Sequence, residues 1–192
     1  MTTKRPDDPR IERTRARALE ATLEIAASSG IHACTFDAVS EHSGIARSTL
    51  YRHWSNQAEL VMDALESQRI EFVAPDTGNL RDDMLAGMLG LAHGLEHSVW
   101  GALIPQLLAA ASIDPQMRAI QKERHAHYTS FYVEIVERAK ARGEVPPDTD
   151  AAYAASLFTA PVFARHLEAL EPIDARWITA HVDQTAALLR HR

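Results

Sequence analysis

The chain has 192 residues, 46% of them hydrophobic, and a formal net charge of −6, which is the composition of an ordinary globular protein of one or two domains. Its single cysteine, Cys34, excludes an internal disulfide framework, and no apolar stretch reaches the roughly 18 residues of a membrane span. Because residues 1–10 also lack the apolar segment of a signal peptide, we expect a cytoplasmic protein without a membrane partner.

The negative charge is unevenly distributed. Residues 1–60 contain eight basic and eight acidic side chains, so the whole acidic excess lies in residues 61–192. The first 17 residues are basic, with six Lys or Arg against three acids. This asymmetry indicates two parts with different electrostatic tasks, and the overall charge does not exclude a nucleic-acid partner for the first part.

Apolar residues recur at three- and four-residue intervals along most of the chain, and no stretch alternates with the period of a strand. This pattern predicts an all-α fold of about nine helices. A first helix is expected over about 11–28, because Gly30 suits its C-terminal cap. Thr35 is placed as the N-cap of a short second helix over about 36–42.

The short second helix should end at a tight turn around Gly44. A third helix is predicted over about 46–54, followed by Asn56 and Glu59, which fit a loose capping box. That box opens a fourth helix, which should extend to about residue 72. Two short helices joined by a tight turn are typical of a helix-turn-helix.

Five further helices are predicted beyond Gly78, over about 80–97, 100–111, 115–142, 150–170 and 174–192. Asp114 and Asp174 are placed to cap two of them. The helix over 150–170 is apolar on nearly all sides, so it needs a packing partner on every side. A second copy of the chain is the expected extra partner.

The third helix has two chemically different faces. Its apolar face carries Ala46, Leu50 and Trp54. The opposite and flanking positions carry hydrogen-bonding side chains, namely Arg47, Ser48, Thr49, Tyr51 and Arg52. A helix of this width fits the major groove of B-DNA, where such groups bind base edges or phosphates. From the pattern alone, a solvated surface helix is an equally good interpretation.

Residues 17–60 resemble the N-terminal domain of the TetR-type transcriptional regulators. The matching positions, in the family's spacing, are Gly30, Thr35, Gly44, Ile45, Thr49-Leu50-Tyr51, His53-Trp54 and Glu59-Leu60. The later segment RGEVPPDTDAAYAASLFTAPVFARHL resembles the family's helical regulatory domain. The resemblance implies a helix-turn-helix domain over 1–58, with 1–10 as a flexible basic leader, and an effector-binding and dimerisation domain over 59–192.

The resemblance also implies which side chains contact DNA. Phosphates would be bound by Thr35, Tyr51 and His53. Base edges or the nearby backbone would be contacted by Arg47, Ser48, Thr49 and Arg52.

Three positions depart from the family pattern. Ala46 replaces the usual serine cap of the third helix, which costs about 1 kcal/mol. Gln57 replaces a phosphate-binding lysine. The protein should therefore neutralise about one phosphate fewer, and its DNA binding should depend less steeply on salt concentration. Trp54 replaces the usual phenylalanine as a core substitution. Together they predict weak nonspecific DNA binding.

By this resemblance, we expect a homodimeric repressor that binds a near-palindromic double-stranded DNA operator and is released by a small, mainly hydrophobic effector. The expected dimer contacts on the last two helices are Tyr153, Leu157, Phe158, Val162, Trp177, Ile178 and Leu188. The expected pocket lining is Met84, Met88, His93, Trp100, Leu103, Tyr128 and Phe131. For each of these pocket residues, plain core packing is the competing interpretation.

The segment HGLEH suggests a different chemistry, because it has the H-x-x-E-H order of inverzincin metallopeptidases. His93 and His97 lie one helical turn apart and, with Glu96 in the same motif, suggest a zinc-dependent peptidase or a metal sensor as the alternative function. The sequence identifies no third ligand, so interior or pocket-lining histidines are the preferred interpretation. No nucleophile elbow, phosphate-cradling loop or dinucleotide fingerprint occurs, so we expect neither an enzyme nor a cofactor or bound metal. Cys34 is expected to be structural, with a reactive sensor thiol as the alternative.

Overall fold

The computed structural model of the protein describes residues 9–67 and 74–190. Within these ranges the secondary structure is helical, with a short 3₁₀ turn at Ile31–Ala33. The α-helices are α1 (Pro9–Ser29), α2 (Phe36–Ser43), α3 (Arg47–His53), α4 (Gln57–Ser67), α5 (Leu80–His97), α6 (Val99–Ile113), α7 (Pro115–Ala141), α8 (Ala151–Leu167) and α9 (Ala175–Arg190). The all-α prediction with about nine helices is confirmed.

The helix boundaries follow local capping. Asn56 Oδ1 accepts a hydrogen bond from the Glu59 amide at 2.9 Å, and the Glu59 carboxylate accepts one from the Ser55 amide at 2.7 Å. The predicted capping box therefore forms, with its return bond one residue earlier than expected. The predicted end of α4 near residue 72, most of the basic leader and the last two residues of the chain lie outside the described residues.

The described residues form two compact units. The first contains residues 9–67 together with Leu103–Ile120, and the second contains residues 74–102 and 121–190. Helices α6 and α7 each contribute to both units. The expected functional boundary between residues 58 and 59 stays a prediction. None of the described helices is long and apolar enough to cross a membrane.

The first unit is built around α1, which packs against α2 and α4. Its core includes Val39 from α2, Leu50 from α3 and Leu60 from α4, all with no exposed surface. Burial of three such aliphatic side chains stabilises the unit by about 1.5–3 kcal/mol for each of them. The short helices α2 and α3 are therefore held by tertiary packing, since isolated helices of this length are unstable in water.

The second unit is built around α5, which packs against α8 and α9. A buried carboxylate, Asp83, accepts hydrogen bonds from the amide and hydroxyl of Thr77 at 2.6 and 2.7 Å, and from Arg142 at 3.2 Å. Glu144 accepts one from the Leu80 amide at 2.8 Å. These bonds satisfy the buried charge and fix the start of α5.

Candidate DNA-binding surface

The turn between α2 and α3 has the geometry of a helix-turn-helix. Thr35 Oγ1 accepts a hydrogen bond from the Ala38 amide at 3.1 Å and so caps α2 as predicted. Gly44 ends α2 with φ 70°, a left-handed conformation that strains residues with a side chain. Arg17 of α1 donates a 2.5 Å hydrogen bond to the Ser43 carbonyl. The turn is therefore fixed both locally and from α1.

Helix α3 is anchored by its apolar face. Leu50 is fully buried, Trp54 is 2% exposed, and Ile45 before the helix is also buried. The indole nitrogen of Trp54 donates to Asp63 of α4 at 2.7 Å, and Arg15 of α1 donates two hydrogen bonds to the same carboxylate. Packing and polar contacts together set the position of α3 in the first unit.

The other face of α3 presents the predicted donors to solvent. Exposed side chains are Arg47, Ser48, Tyr51 and Arg52, whereas Thr49 and His53 are partly buried. Thr35 is exposed at the start of α2. The structure thus brings the seven predicted DNA contacts onto α3 and the neighbouring start of α2, although their contact with DNA stays a prediction.

Local contacts restrain the side chains of this face. The Tyr51 ring lies against the ring of Phe36, with centroids 4.4 Å apart, although Tyr51 is 60% exposed. Arg52 donates to Thr49 Oγ1 at 3.0 Å. Arg47 forms an ion pair with Asp37 of α2. Such contacts reduce the conformational entropy that ordering on DNA would cost.

Two departures from the family pattern have visible structural correlates. Ala46 is the residue before α3, and its side chain makes no capping bond. The Gln57 amide donates to the carbonyls of Ile31 and His32 at 3.0 and 3.3 Å, so this side chain braces the 3₁₀ turn. Gln106 accepts a hydrogen bond from the Ile31 amide at 2.8 Å on the same turn. Gln57 therefore has a structural role at a position where a phosphate-binding lysine is common.

Several residues that organise this surface were not singled out from the sequence for this role. Arg17, Asp63 and Gln106 act on partners that lie 9 to 75 positions away in the chain. No local spacing rule links residues so far apart. The one available signal was Trp54, whose indole N–H needs an acceptor once the ring is buried.

The residues predicted for the dimer interface separate into two groups. Phe158, Val162 and Ile178 are fully buried inside the subunit and present no surface to a second copy in this structure. The side chains of Tyr153 and Leu188 are exposed, and those of Leu157 and Trp177 are partly exposed. Buried core side chains cannot reach a second copy, so only these four remain candidates.

The residues predicted to line the effector pocket do not all lie in the same unit. Leu103 lies in the core of the first unit, whereas the other six belong to the second unit. Of those six, Met84 and Met88 are fully buried, Trp100, Tyr128 and Phe131 are partly buried, and His93 is exposed. A groove of about 210 Å³ in the first unit, beside the 3₁₀ turn, shares none of the seven residues. The lining of an effector pocket stays a prediction.

Aromatic rings cluster around Tyr128 in the second unit. Its ring centroid lies 6.4 Å from that of Trp100, 6.0 Å from that of Phe163 and 5.2 Å from that of Tyr132. The Tyr128 hydroxyl donates to the Tyr132 hydroxyl at 3.1 Å, which donates to the Gly87 carbonyl at 3.3 Å. Burial raises the pKa of both phenols, which further favours their neutral forms.

Within HGLEH, near the end of α5, His93, Glu96 and His97 are exposed, whereas Leu95 is buried. Glu96 accepts a hydrogen bond from the Ile173 amide at 2.8 Å, so its carboxylate serves the backbone before α9. The rings of His93 and His97 stack with centroids 4.6 Å apart. Over residues 9–67 and 74–190, no group of three or more His, Cys, Asp or Glu side chains is arranged to hold a metal ion.

Two family descriptions match the chain. Residues 18–64 match "Bacterial regulatory proteins, tetR family", and residues 74–185 match "Tetracyclin repressor-like, C-terminal domain". The first match contains α2, the turn and α3. The second covers more than half of the chain, from the loop before α5 into α9.

Curated relatives and solved structures agree with these matches. The chain is 33% identical over 144 residues to the uncharacterized HTH-type transcriptional regulator Rv1556 of Mycobacterium tuberculosis, covering 73% of this chain and 70% of that protein. It is 28% identical over 149 residues to the HTH-type transcriptional regulator UidR of Escherichia coli K12, covering 75% of each. The TetR family transcription regulator SCO0332 superposes with a TM-score of 0.71 at 27% identity, covering 91% of this chain and 97% of that chain. Salmonella enterica GusR shares the fold, with a TM-score of 0.75 at 22% identity over 97% of this chain and 100% of that chain.

The family matches include both the helix-turn-helix and the helical region that follows it. Proteins of this family are transcriptional regulators, so the alternative of a zinc-dependent peptidase or metal sensor is not supported. The chain belongs to the tetR family of bacterial regulatory proteins and is a DNA-binding transcriptional regulator of the helix-turn-helix type, not an enzyme.

Proposed function

We propose that this regulator is a homodimeric repressor that binds a near-palindromic DNA operator through α3 and is released by a small, mainly hydrophobic effector. The observation that carries the proposal is the division of α3 into two faces. Leu50 is buried in the core, while Tyr51 and Arg52 next to it are exposed. A short helix held in this way can enter a major groove without losing its own support.

The exposed side chains suit the chemistry of a DNA groove. Seven helical residues rise about 10 Å, and a helix about 10–12 Å in diameter fits the major groove. Arg47 and Arg52 can each donate two parallel hydrogen bonds to a guanine. Tyr51 and His53 at the edge of the helix, and Thr35 at the start of α2, suit phosphate contacts that fix its register.

The proposed dimer uses exposed parts of α8 and α9. Tyr153 is 58% exposed and Leu188 is 70% exposed, so both side chains are available to contact a second copy. Leu157 and Trp177 are partly exposed on the same two helices. An isologous contact there would give two-fold symmetry, and the two α3 helices would then read half-sites one DNA turn, or a multiple of it, apart.

The proposed effector site lies among the aromatic and methionine side chains of the second unit. Met84 and Met88 are buried, and methionine adapts its shape to varied apolar ligands. The neutral phenols of Tyr128 and Tyr132 supply polar groups that suit an uncharged ligand. Release from the operator requires that the effector prefer the non-binding conformation, typically by about 1–3 kcal/mol.

Selection of bound duplexes from a random-sequence pool by the full chain tests the proposal. The expected product is an inverted repeat of one half-site, with centres about 10–10.5 base pairs apart or a multiple of that spacing. A matched selection with the Tyr51→Ala chain controls for sequences retained by other surfaces. A pool without enrichment, or an equal product from both chains, would overturn the proposed role of α3.

A further inference from the structure

An acidic side chain lies beside the arginine that begins α3. Arg47 Nε is 2.5 Å from Asp37 Oδ1, and both side chains are more than half exposed. Asp37 occupies the first turn of α2, two residues after Thr35. The ion pair therefore joins the two helices of the helix-turn-helix on their solvent side.

Asp37 is an unexpected residue at this place. A carboxylate on a surface that approaches DNA is repelled by the phosphates, so it opposes nonspecific binding. An exposed ion pair also contributes little to folding stability. The first turn of a helix favours an acid electrostatically, and this is the structural alternative to a role in recognition.

The ion pair leaves the groups that read guanine available. A guanidinium has five N–H donors, of which Nε carries one and the terminal nitrogens carry four. Asp37 approaches the guanidinium at Nε, and among the described residues Arg47 forms no ion pair other than this one. The terminal N–H groups can therefore donate in parallel to O6 and N7 of a guanine. A guanidinium held on one side loses less conformational entropy when it makes this bidentate contact.

We propose that Asp37 is a specificity-determining residue: it orients Arg47 toward a guanine in the half-site and withholds its charge from the phosphate backbone. The inference rests on the proposed function, in which α3 faces the major groove. Two other arginines of the first unit also have partners within the protein: Arg15 donates to Asp63, and Arg17 donates to the Ser43 carbonyl. Binding by such a surface depends more on base contacts than on general attraction to DNA.

Asp37→Asn in the full chain separates the two roles of this carboxylate. The variant keeps the size of the side chain but loses the charge that holds Arg47. Nonspecific binding to a random duplex should tighten, and the slope of log K against log salt should become steeper by about 0.9, because one more phosphate is neutralised. Glu123→Gln on the exposed surface of α7 is the matched control, since it makes the same change in net charge in the second unit.

The guanine contact is tested with the selected half-site. Each guanine is replaced in turn by 7-deazaguanine, which lacks the N7 acceptor. At one position the native chain should lose about tenfold or more in affinity. The Arg47→Ala chain should not respond at that position, and the Asp37→Asn chain should respond less than the native chain. The Asp37→Asn, Arg47→Ala double variant should be as unresponsive at that position as Arg47→Ala.

The outcomes distinguish this inference from the proposed function. The inference fails and the proposed function stands if Tyr51→Ala weakens binding while Asp37→Asn has the same salt slope as Glu123→Gln and keeps the native response to 7-deazaguanine. A native response that persists in Arg47→Ala also overturns the inference. If Tyr51→Ala binds as the native chain does, both fail together. Thermal unfolding of each variant, followed by circular dichroism, shows whether α2 has been destabilised instead.

Discussion

The indole nitrogen of Trp54 lies 2.7 Å from the Asp63 carboxylate and donates a hydrogen bond to it, at the point where α3 ends. The same carboxylate accepts two hydrogen bonds from Arg15, at 2.5 and 2.7 Å. Asp63 therefore connects α1, α3 and α4 through one partly buried group. Phenylalanine, which the family usually has at this position, would fill the core but could not make the bond to α4.

Trp54→Phe should leave the fold intact and lower its stability. The change removes a hydrogen bond to a charged acceptor, so the free energy of unfolding should fall by about 1.5–3 kcal/mol. Urea denaturation followed by circular dichroism measures this difference. Trp100→Phe on α6 makes the same substitution where Arg124 lies 6.0 Å from the ring centroid, and should cost about 1 kcal/mol at most. Equal losses in the two variants would show that the bond to Asp63 contributes nothing specific.

Tyr51→Phe should weaken DNA binding without affecting the fold. The ring contact with Phe36 is retained, and the hydroxyl lies on an exposed face of α3. If that hydroxyl donates to a phosphate, its loss should cost about 1.5–3 kcal/mol, or about tenfold or more in affinity, on every DNA sequence. Fluorescence anisotropy with specific and random duplexes provides the measurement. An effect confined to one base pair would instead place Tyr51 against a base edge.

The helix caps could be predicted from the sequence because a capping side chain bonds an amide within three residues of it. Thr35 and Asp174 accept hydrogen bonds from Ala38 and Trp177 amides as expected, and Asp114 accepts from the first turn of α7. The two-faced pattern of α3 was equally local, since Leu50 at the centre of its apolar face is buried. Short-range rules therefore predicted the elements and the exposed face.

Contacts between distant parts of the chain could not be predicted from local sequence rules. Helix α8 is apolar on nearly all sides, so its periodicity could not separate Phe158 and Val162, which pack inside the subunit, from Tyr153, which is exposed. Leu103 was predicted to line a pocket, but it packs in the core of the first unit. The 3₁₀ turn at Ile31–Ala33 was not predicted either, because its brace from Gln106 spans 75 residues. Packing geometry decides these cases, and a single sequence does not record it.

Cys34 should behave as a structural thiol. It is fully buried, and its thiol donates to the Thr22 carbonyl at 3.4 Å. Burial raises the pKa of this thiol to about 11, which favours the neutral form in the folded state. At pH 8, reaction with a chromogenic disulfide reagent should be at least about a hundredfold slower in the native chain than in the urea-unfolded chain.

The raised pKa also predicts a direction for stability against pH. The unfolded thiol ionises near its ordinary pKa of 9.0, whereas the folded thiol stays neutral to a higher pH. The contribution of Cys34 to folding stability is therefore complete below pH 9.0 and declines between pH 9.0 and about 11. Cys34→Ser, whose hydroxyl does not ionise in this range, should lose less stability over the same interval. Rapid labelling of the native chain at pH 8 would favour a reactive sensor thiol instead.

Leu188→Asp should convert the proposed dimer to monomers. The side chain is 70% exposed in one subunit, so the substitution costs the isolated fold little, whereas a buried unpaired carboxylate would disrupt an interface. Sedimentation equilibrium measures the change in mass. Leu170→Asp is the matched control, because Leu170 is 81% exposed in the loop after α8 and lies outside the proposed contact. A Leu188→Asp chain that remains dimeric would move the interface elsewhere.

Operator affinity of the Arg52→Ala chain, compared with Lys122→Ala, tests most directly whether α3 reads DNA. Both changes remove one exposed positive charge, but Arg52 lies on the donor face of α3 and Lys122 lies on α7. We predict that Arg52→Ala binds the selected operator about tenfold or more weakly, with discrimination reduced at one base pair, while Lys122→Ala binds as the native chain does. Equal affinities for both variants, with native helicity, would contradict the assignment of α3 as the recognition helix.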